Sequence, residues 1–187
     1  IDVPAPSGTP IQACKSGVVT PSTYNNSYGN YVVVGHSDGT STLYAHMSET
    51  QVNPGDEVIV FSPYFPMYRE QIELAGGVCV DVPTYASEDY AIDEARLRAA
   101  ITPRTKAIVF NNPTNPTGMG YDSRTLELLA RVAQEHDLLI AADEIYTTYL
   151  YEGDFRPIRT LPGMAERTIV VNGFSKSYAM TGWRLGY

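Results

Sequence analysis

Hydrophobic and polar positions follow two different patterns along this chain, and the pattern changes near residue 53. Before that point the apolar residues form short runs rich in Val, Tyr and Thr, separated by turn sequences such as NNSYGN and HSDGTS. Short runs at regular spacing predict the strands of a meander or sandwich. We therefore predict a small all-β segment over residues 1–52, with strands near 9–14, 16–22, 30–36 and 41–47.

From residue 53 onward, predicted strands alternate with predicted helices. The strands are expected at residues 57–62, 77–83, 106–112, 138–143 and 168–173, and the helices at 64–77, 92–101 and 123–136. The strands are apolar on both faces, which is typical of a parallel sheet covered by helices. We predict an α/β fold, with a mostly parallel sheet and helices on both of its faces, after the all-β segment.

The composition argues against two classes of binding partner. The chain has 187 residues and a formal net charge of -8, without a basic cluster, so nucleic acid and anionic membranes are not expected partners. No apolar run is long enough to cross a bilayer. The α/β part suggests the cytoplasm and the β part suggests the cell envelope, and of the two we expect a cytoplasmic location. Cys14 and Cys79 lie far apart in the sequence and are predicted to be two buried thiols.

Unusual polar segments follow three of the predicted strands. NNPTNPTG follows the apolar run KAIVF, DEIY follows LLIAA, and FSKSYAMTGWR follows TIVVNG. Ligands of open α/β sheets bind beyond the carboxyl ends of the strands, so these segments are expected to meet at one edge. The side chains that converge there would be Asn115, Asp143, Tyr146, Ser175, Lys176 and Arg184.

This set of groups fits pyridoxal 5'-phosphate. An arginine beside a serine hydroxyl anchors a phosphate dianion, a lysine amine forms an imine, and a carboxylate keeps a pyridine nitrogen protonated. Taken singly, Lys176 could be a solvated surface charge and Asp143 a helix cap. The NPTNPTG segment could likewise be an ordinary turn cluster.

The motifs resemble a known family over residues 53–187. NPGDEVIVFSPYFPMYREQIELAGG, NNPTNPTG, ADEIY and FSKSYAMTGWRLGY closely resemble the large domain of class I/II aminotransferases, which are fold-type I pyridoxal-phosphate enzymes. The resemblance implies transfer of an amino group between an amino acid and a 2-oxo acid. It also implies that a homodimer is possible, because members of the family are dimers.

The resemblance assigns roles to the residues at the strand ends. Lys176 would form the Schiff base with the cofactor and carry the proton at the substrate carbon. Asp143 would pair with the pyridine nitrogen, and Tyr146 and Asn115 would hydrogen-bond the phenolate oxygen of the ring.

Two further roles follow from the same resemblance. Ser175 and Arg184 would bind the cofactor phosphate. Phe65 would stack on the ring, although the neighbouring Tyr64 could take that role and Phe65 could simply pack in the core.

The first fifty residues resemble another family. IDVPAPSGTPIQACKSGVV and YGNYVVVGHSDGTSTLYAHMS are similar to the M23 zinc metallopeptidases, which cut peptidoglycan peptides. That resemblance makes Asp2 a zinc ligand and His46 a catalytic assistant, while His36 matches no role and is expected to face solvent. A catalytic zinc site needs about three protein ligands, and the remaining ligands of that family are missing here, so no metal site is predicted.

The two resemblances together predict a chimera of natural or artificial origin. Both families carry a Val-x-x-Gly-Asp-x-Val turn, so the join is expected between Ser48 and Val58, with an incomplete domain on each side, 1–52 and 53–187. The glycine-containing phosphate loop, the small domain and the N-terminal arm of an aminotransferase would then be missing. Three hypotheses result: an aminotransferase, a zinc peptidase of cell-wall peptides, or a catalytically silent chimera.

Overall fold

The computed structural model describes Ile11, Ala13, Cys14 and residues 17–47 and 55–187. It divides into two compact units, one of Ile1–Asp56 with Glu70–Val78 and one of Glu57–Arg69 with Cys79–Tyr187. The predicted strand at 9–14 and the predicted join after Ser48 lie largely outside the described residues. The predicted division into 1–52 and 53–187 stays a prediction.

The first unit contains an antiparallel three-stranded sheet. Its strands are β1 (Val18–Asn25), β2 (Gly29–Gly35) and β3 (Ser41–Met47), in the order β1-β2-β3. Val32 and Val34 on β2 are each only 5% exposed and alternate with half-buried residues. This two-residue period is that of a strand with one buried face, and β2 lies where the sequence predicts a strand, at 30–36.

Two expectations for the first unit are wrong. His36 is predicted to face solvent, but it is buried, and its Nε2 lies 3.1 Å from Thr42 Oγ1. Cys14 is an exposed free thiol and Cys79, in the second unit, is only half-buried, so the two are not a pair of buried thiols. Both misreadings concern burial, which depends on how strands pack and not on the residue type alone.

The second unit is built on a five-stranded sheet in the order β5-β4-β6-β7-β8. The strands are β4 (Glu57–Ser62), β5 (Val78–Pro83), β6 (Thr105–Asn111), β7 (Leu139–Asp143) and β8 (Thr168–Val171). The pairs β4–β6, β6–β7 and β7–β8 are parallel. The predicted class, a mostly parallel α/β sheet with helices preceded by a small β segment, is confirmed.

The helices are α1 (Met67–Leu74), α2 (Glu94–Ala99) and α3 (Ser123–Glu135). The Asp93 carboxylate accepts the Arg96 N–H at the start of α2, and Asp122 caps α3 in the same way through the Thr125 N–H. These caps satisfy main-chain donors that have no partner within the helix. The core joins apolar residues of helices and strands, among them Leu97, Leu126, Leu129, Ile59, Ile108, Phe110 and Ile140.

Helix α1 is shorter than the predicted helix at 64–77 because its start and its end are set by local chemistry. It begins just after Pro66, a residue type common at the first turn. At its end Gly76 adopts a φ of 83°, and the Gly77 N–H donates to the Ile72 carbonyl at 2.9 Å. This is a glycine-based helix stop of the kind that the paired glycines predict.

A buried acid lies where β4 begins. Glu57 is 4% exposed and accepts hydrogen bonds from the hydroxyls of Thr102 and Thr105 and from the Arg104 guanidinium. These partners, the Thr102 hydroxyl foremost, hold the pKa of the Glu57 carboxyl below its ordinary value of 4.5. Glu57 therefore ties the loop before β6 to the start of β4.

We expect Glu57→Gln to lower the free energy of unfolding at pH 7 by about 1–3 kcal/mol, because the network loses its negative charge and one of its two acceptor oxygens. A carboxyl with a folded-state pKa below its unfolded value stabilises the fold above the unfolded value and loses that contribution as pH falls. The difference in free energy of unfolding between the parent and Glu57→Gln, measured by urea unfolding, should therefore be smaller at pH 3 than at pH 7. The exposed Glu152→Gln is the matched control, and a gap that is equal at both pH values would contradict this assignment.

Candidate cofactor site

Strands β6 and β7 end side by side on polar residues. Asn111 and Asp143 are the last residues of the two strands and are partners in the parallel register. The side-chain amide of Asn111 donates to the main-chain oxygen of Asp143 at 2.9 Å. Because ligands of such sheets bind beyond this edge, the two strand ends mark where the candidate site begins.

The loop after β6 carries Asn115 toward this edge. The Asn115 N–H donates to Asn111 Oδ1 at 2.7 Å, and the Thr114 N–H donates to the Met119 carbonyl at 2.8 Å. The side-chain amide of Asn115 then lies 3.4 Å from the Tyr146 hydroxyl. The segment is a hydrogen-bonded turn, and it brings together two residues that the resemblance places on the same cofactor oxygen.

The Asp143 carboxylate is held at both of its oxygens. Oδ1 accepts the Ile145 N–H at 3.1 Å, and Oδ2 accepts the hydroxyl of Tyr68 from the first turn of α1. Burial, reinforced by the negative charge of Asp143, raises the pKa of Tyr68 well above its ordinary value of 10.0. Tyr68 therefore stays protonated and acts as a donor that orients this carboxylate.

Sequence reasoning missed Tyr68 and Asn111. Tyr68 is 75 residues from Asp143 in sequence, and only the fold brings them together. A signal was present, because Tyr68 lies three residues beyond Phe65 and its ring meets Phe65 edge-on at 5.7 Å. Asn111 could have been found as the polar residue that directly follows the apolar run AIVF of β6.

The acid next to Asp143 has a different environment. Glu144 is 7% exposed, and burial raises the pKa of its carboxyl above the ordinary value, partly opposed by Arg159. Neighbouring residues of extended chain point to opposite faces. Of the two acids in the DEIY segment, Asp143 is therefore the one whose carboxylate lies with Tyr68 at the candidate site.

Lys176 lies in a turn beyond the end of β8. Its Nζ is 5.6 Å from the centroid of the Tyr146 ring, a cation–π distance. Among the residues that the structure describes, no acid forms an ion pair with Lys176. The amine thus lies beside the Tyr146 ring, and no ion pair with a described acid holds it there.

Ser175 and Arg184, the predicted phosphate anchor, both lie beyond the end of β8. The Arg184 guanidinium is exposed and donates to the main-chain oxygen of Thr181 at 2.9 Å. Ser175 is half-buried in the Lys176 turn, and no hydrogen bond joins its hydroxyl to Arg184 within residues 55–187. Both residues follow β8, but their shared role stays a prediction.

Two aromatic residues, Phe65 and Tyr64, are candidates to stack on the cofactor ring. Phe65 is 39% exposed, so part of its side chain is accessible to a ligand. Tyr64 lines a shallow cleft with Tyr68 and Asn115, and its hydroxyl accepts a hydrogen bond from Arg69 Nε at 3.1 Å. Exposure favours Phe65 and position in the cleft favours Tyr64, so a binding experiment has to separate them.

The donor set fits a pyridoxal-type cofactor. One edge of the sheet carries an amine, an oriented carboxylate and an amide–phenol pair, joined through the contacts of Tyr146, Asn115 and Asn111. An amine, a carboxylate and hydrogen-bond donors match an aldehyde, a ring nitrogen and a ring oxygen respectively. The fold and these side chains are therefore compatible with a pyridoxal-type cofactor at this edge of a parallel α/β sheet.

Comparison with known proteins gives the family. The sequence model of the aminotransferase class I and II family matches residues 26–187. The chain therefore belongs to the class I and II aminotransferases. Members of this family use pyridoxal 5'-phosphate.

Individual relatives agree with the family. The chain is 54% identical over 150 residues to an aspartate/prephenate aminotransferase of Thermus thermophilus, covering 80% of this chain and 38% of that protein. It is 45% identical over 139 residues to an aromatic-amino-acid aminotransferase of Thermococcus litoralis, covering 74% of this chain and 36% of that protein. The chain thus spans less than two-fifths of the length of these relatives.

Solved structures show the same fold. The aspartate aminotransferase of Thermus thermophilus with maleate superposes with a TM-score of 0.69 at 51% identity, over 72% of this chain and 35% of that one. The N-succinyldiaminopimelate aminotransferase of Mycobacterium tuberculosis gives a TM-score of 0.70 at 35% identity, over 72% of this chain and 36% of that one.

The zinc-peptidase resemblance finds no support. The family match begins at residue 26, well inside the segment predicted to be M23-like. His46 lies exposed on β3 with a φ of 55°, Asp2 is outside the described residues, and the described residues contain no group of three or more potential ligands that could hold a metal ion. The chimera built on that resemblance is equally unsupported.

None of the helices within the described part of the chain has the length and apolar character needed to cross a membrane.

Proposed function

We propose that this chain carries the cofactor-binding part of a pyridoxal-phosphate-dependent aminotransferase, which transfers an amino group between an amino acid and a 2-oxo acid. The observation that carries the proposal is the position of Lys176 Nζ at 5.6 Å from the Tyr146 ring, at the edge where Tyr68 orients Asp143. Family membership supports the same chemistry.

Each residue would contribute one elementary task. When bound, the cofactor supplies an electron sink for the bond broken at the substrate carbon. Lys176 would hold the cofactor through its amine and move the proton at that carbon, because a positioned amine serves as nucleophile and as general base. Asp143 would accept the ring N–H, and Tyr68 keeps its carboxylate oriented for this task.

The other predicted residues would fix the position of the ring. Tyr146 and Asn115, whose polar groups lie 3.4 Å apart, would donate hydrogen bonds to the ring oxygen. Ser175 and Arg184 would bind the phosphate, which requires Arg184 to exchange the Thr181 carbonyl for the anion. Such an exchange is favourable because guanidinium–phosphate pairs are charge-assisted and often bidentate.

We propose the substrates by chemical class only. Relatives of similar identity are named for aspartate or prephenate and for aromatic amino acids. We therefore propose an amino acid and a 2-oxo acid as substrates without choosing between them. A homodimer and a cytoplasmic location are proposed on the family resemblance alone.

A titration with pyridoxal 5'-phosphate tests the proposal. We expect a saturable visible absorbance band that borohydride reduction fixes to the protein. The chain contains three lysines, Lys15, Lys106 and Lys176, so peptide mapping of the reduced protein identifies the attachment site without ambiguity. Labelling confined to Lys176 supports the proposal, and equal labelling of the three lysines refutes it. Pyridoxal without the phosphate is the control for the phosphate anchor and should bind more weakly.

A further inference from the structure

The turn that carries Lys176 is tied to a distant short helix, Thr147–Tyr149, which follows β7. The Tyr149 hydroxyl donates to the main-chain oxygen of Lys176 at 2.6 Å. The neighbouring Thr148 hydroxyl lies 2.9 Å from the Ser177 hydroxyl. Adjacent side chains thus hold adjacent residues of the turn, across 27 and 29 positions of sequence.

These contacts matter because the sheet pairing stops before Lys176. β8 ends at Val171, and beyond it residues 172–174 pair antiparallel with residues 185–187, ending with the Phe174 N–H that donates to the Leu185 oxygen at 3.1 Å. The local bonds are those of the turn itself, from the Ala179 N–H to the Lys176 oxygen at 3.0 Å and from the Tyr178 N–H to the Phe174 oxygen at 3.3 Å. Tyr149 is therefore the long-range hydrogen-bond partner of the main chain at Lys176.

The ring of Tyr149 also reaches the surroundings of the amine. It meets the Tyr146 ring edge-on, with centroids 6.4 Å apart and planes inclined by 68°. Tyr146 in turn is the ring beside which Lys176 Nζ lies, at 5.6 Å. One residue thus contacts both the main chain that bears the lysine and the aromatic ring beside its amine.

We propose that Tyr149 is a positioning residue for Lys176, with Thr148 as a second tether of the same turn. A lysine side chain has several rotatable bonds, so the place of its amine depends on where the main chain is held. Displacements of about 1 Å are enough to weaken a reaction substantially. The inference rests on the proposed function, because it assigns to Tyr149 the placement of the amine that would hold the cofactor.

The test compares Tyr149→Phe with Tyr151→Phe in the full chain. Tyr149→Phe removes only the hydroxyl and keeps the ring contact with Tyr146. Tyr151 is 90% exposed, so the same chemical change there is the matched control. Loss of one hydrogen bond should weaken pyridoxal 5'-phosphate binding about three- to tenfold in Tyr149→Phe. The pH at which the bound-cofactor band changes should shift in Tyr149→Phe and not in Tyr151→Phe, at an unchanged melting temperature.

A second readout needs no cofactor. Hydrogen exchange of the amides at residues 175–179 should be faster in Tyr149→Phe than in the parent, since the Lys176 carbonyl has lost its long-range donor. Thr148→Val should accelerate the same peptide less, and Thr147→Val, one position away, should leave it unchanged. Exchange in residues 111–115 should be the same in all variants.

The outcomes separate this inference from the proposed function. A parent chain that gives no cofactor band refutes the proposed function. The hydrogen-exchange rates at residues 175–179 then test only whether Tyr149 holds the Lys176 turn. A parent band with Tyr149→Phe identical to the parent in affinity, band titration and exchange overturns the positioning role and leaves the proposed function intact. Equal effects in Tyr149→Phe and Tyr151→Phe also overturn it, because the hydroxyl contact would not be the cause.

Discussion

Replacing Lys176 with Ala abolishes the borohydride-fixed absorbance band, and this is the largest functional effect that we expect. The amine is the only group at the site that can bond covalently to an aldehyde, because its neighbours there are a phenol, an amide and a carboxylate. Weaker, reversible binding of the cofactor should remain through Asp143 and Asn115. The measurement is the amplitude of the visible band at saturating pyridoxal 5'-phosphate, before and after reduction.

The fold should tolerate this change. Lys176 is half-buried in a turn and, within the described ranges, takes part in no ion pair, so the free energy of unfolding should change by no more than about 0.5 kcal/mol. Lys106→Ala, at an exposed lysine of β6, is the matched control and should keep the full band. A Lys176→Ala protein that retains the band after reduction would exclude Lys176 as the attachment site.

Truncating Phe110 to Ala should cost about 3–5 kcal/mol of the free energy of unfolding, because a large buried side chain leaves a cavity. Phe110 lies on the central strand β6, is 2% exposed and packs on the Tyr121 ring with centroids 5.3 Å apart. Small domains have only about 5–15 kcal/mol of stability in total. Thermal or urea unfolding should therefore show Phe110→Ala partly unfolded under mild conditions.

Phe65→Ala is the contrasting variant. Phe65 is 39% exposed, so its truncation should cost less than about 1 kcal/mol of stability. If its ring stacks on the cofactor, Phe65→Ala weakens binding and Tyr64→Ala does not. The reverse result assigns the stacking role to Tyr64. A stability loss in Phe65→Ala as large as that in Phe110→Ala would instead show that Phe65 is a core residue.

The α/β part of the fold could be predicted from the sequence because its signals are local. Each predicted strand between residues 57 and 173 corresponds to an observed one, β4 to β8, with ends that differ by a few residues at most. The helix of residues 123–135 was predicted nearly to the residue, since its apolar positions recur on one face and Asp122 provides a cap. The predicted helix at 64–77 is longer than α1, and it starts too early because α1 begins only after Pro66.

The zinc-peptidase interpretation rested on the resemblance of two sequence stretches, and it finds no support because the aminotransferase family match begins at residue 26. Short runs of Val, Tyr and Thr between turns predict strands without identifying a family. The burial of His36 and the exposure of Cys14 show the same limit. A strand pattern gives the alternation of faces, but which face is covered depends on what packs against it.

The sequence by itself determined the succession of strands and helices and the order of the polar segments at the strand ends, because hydrophobic periodicity and turn chemistry act over a few residues. Only the tertiary structure decided that Tyr68 holds the Asp143 carboxylate and that Tyr149 holds the main chain of Lys176. These are hydrogen bonds between residues 75 and 27 positions apart. Such contacts depend on how whole elements pack and on side-chain rotamers, and no local pattern encodes them.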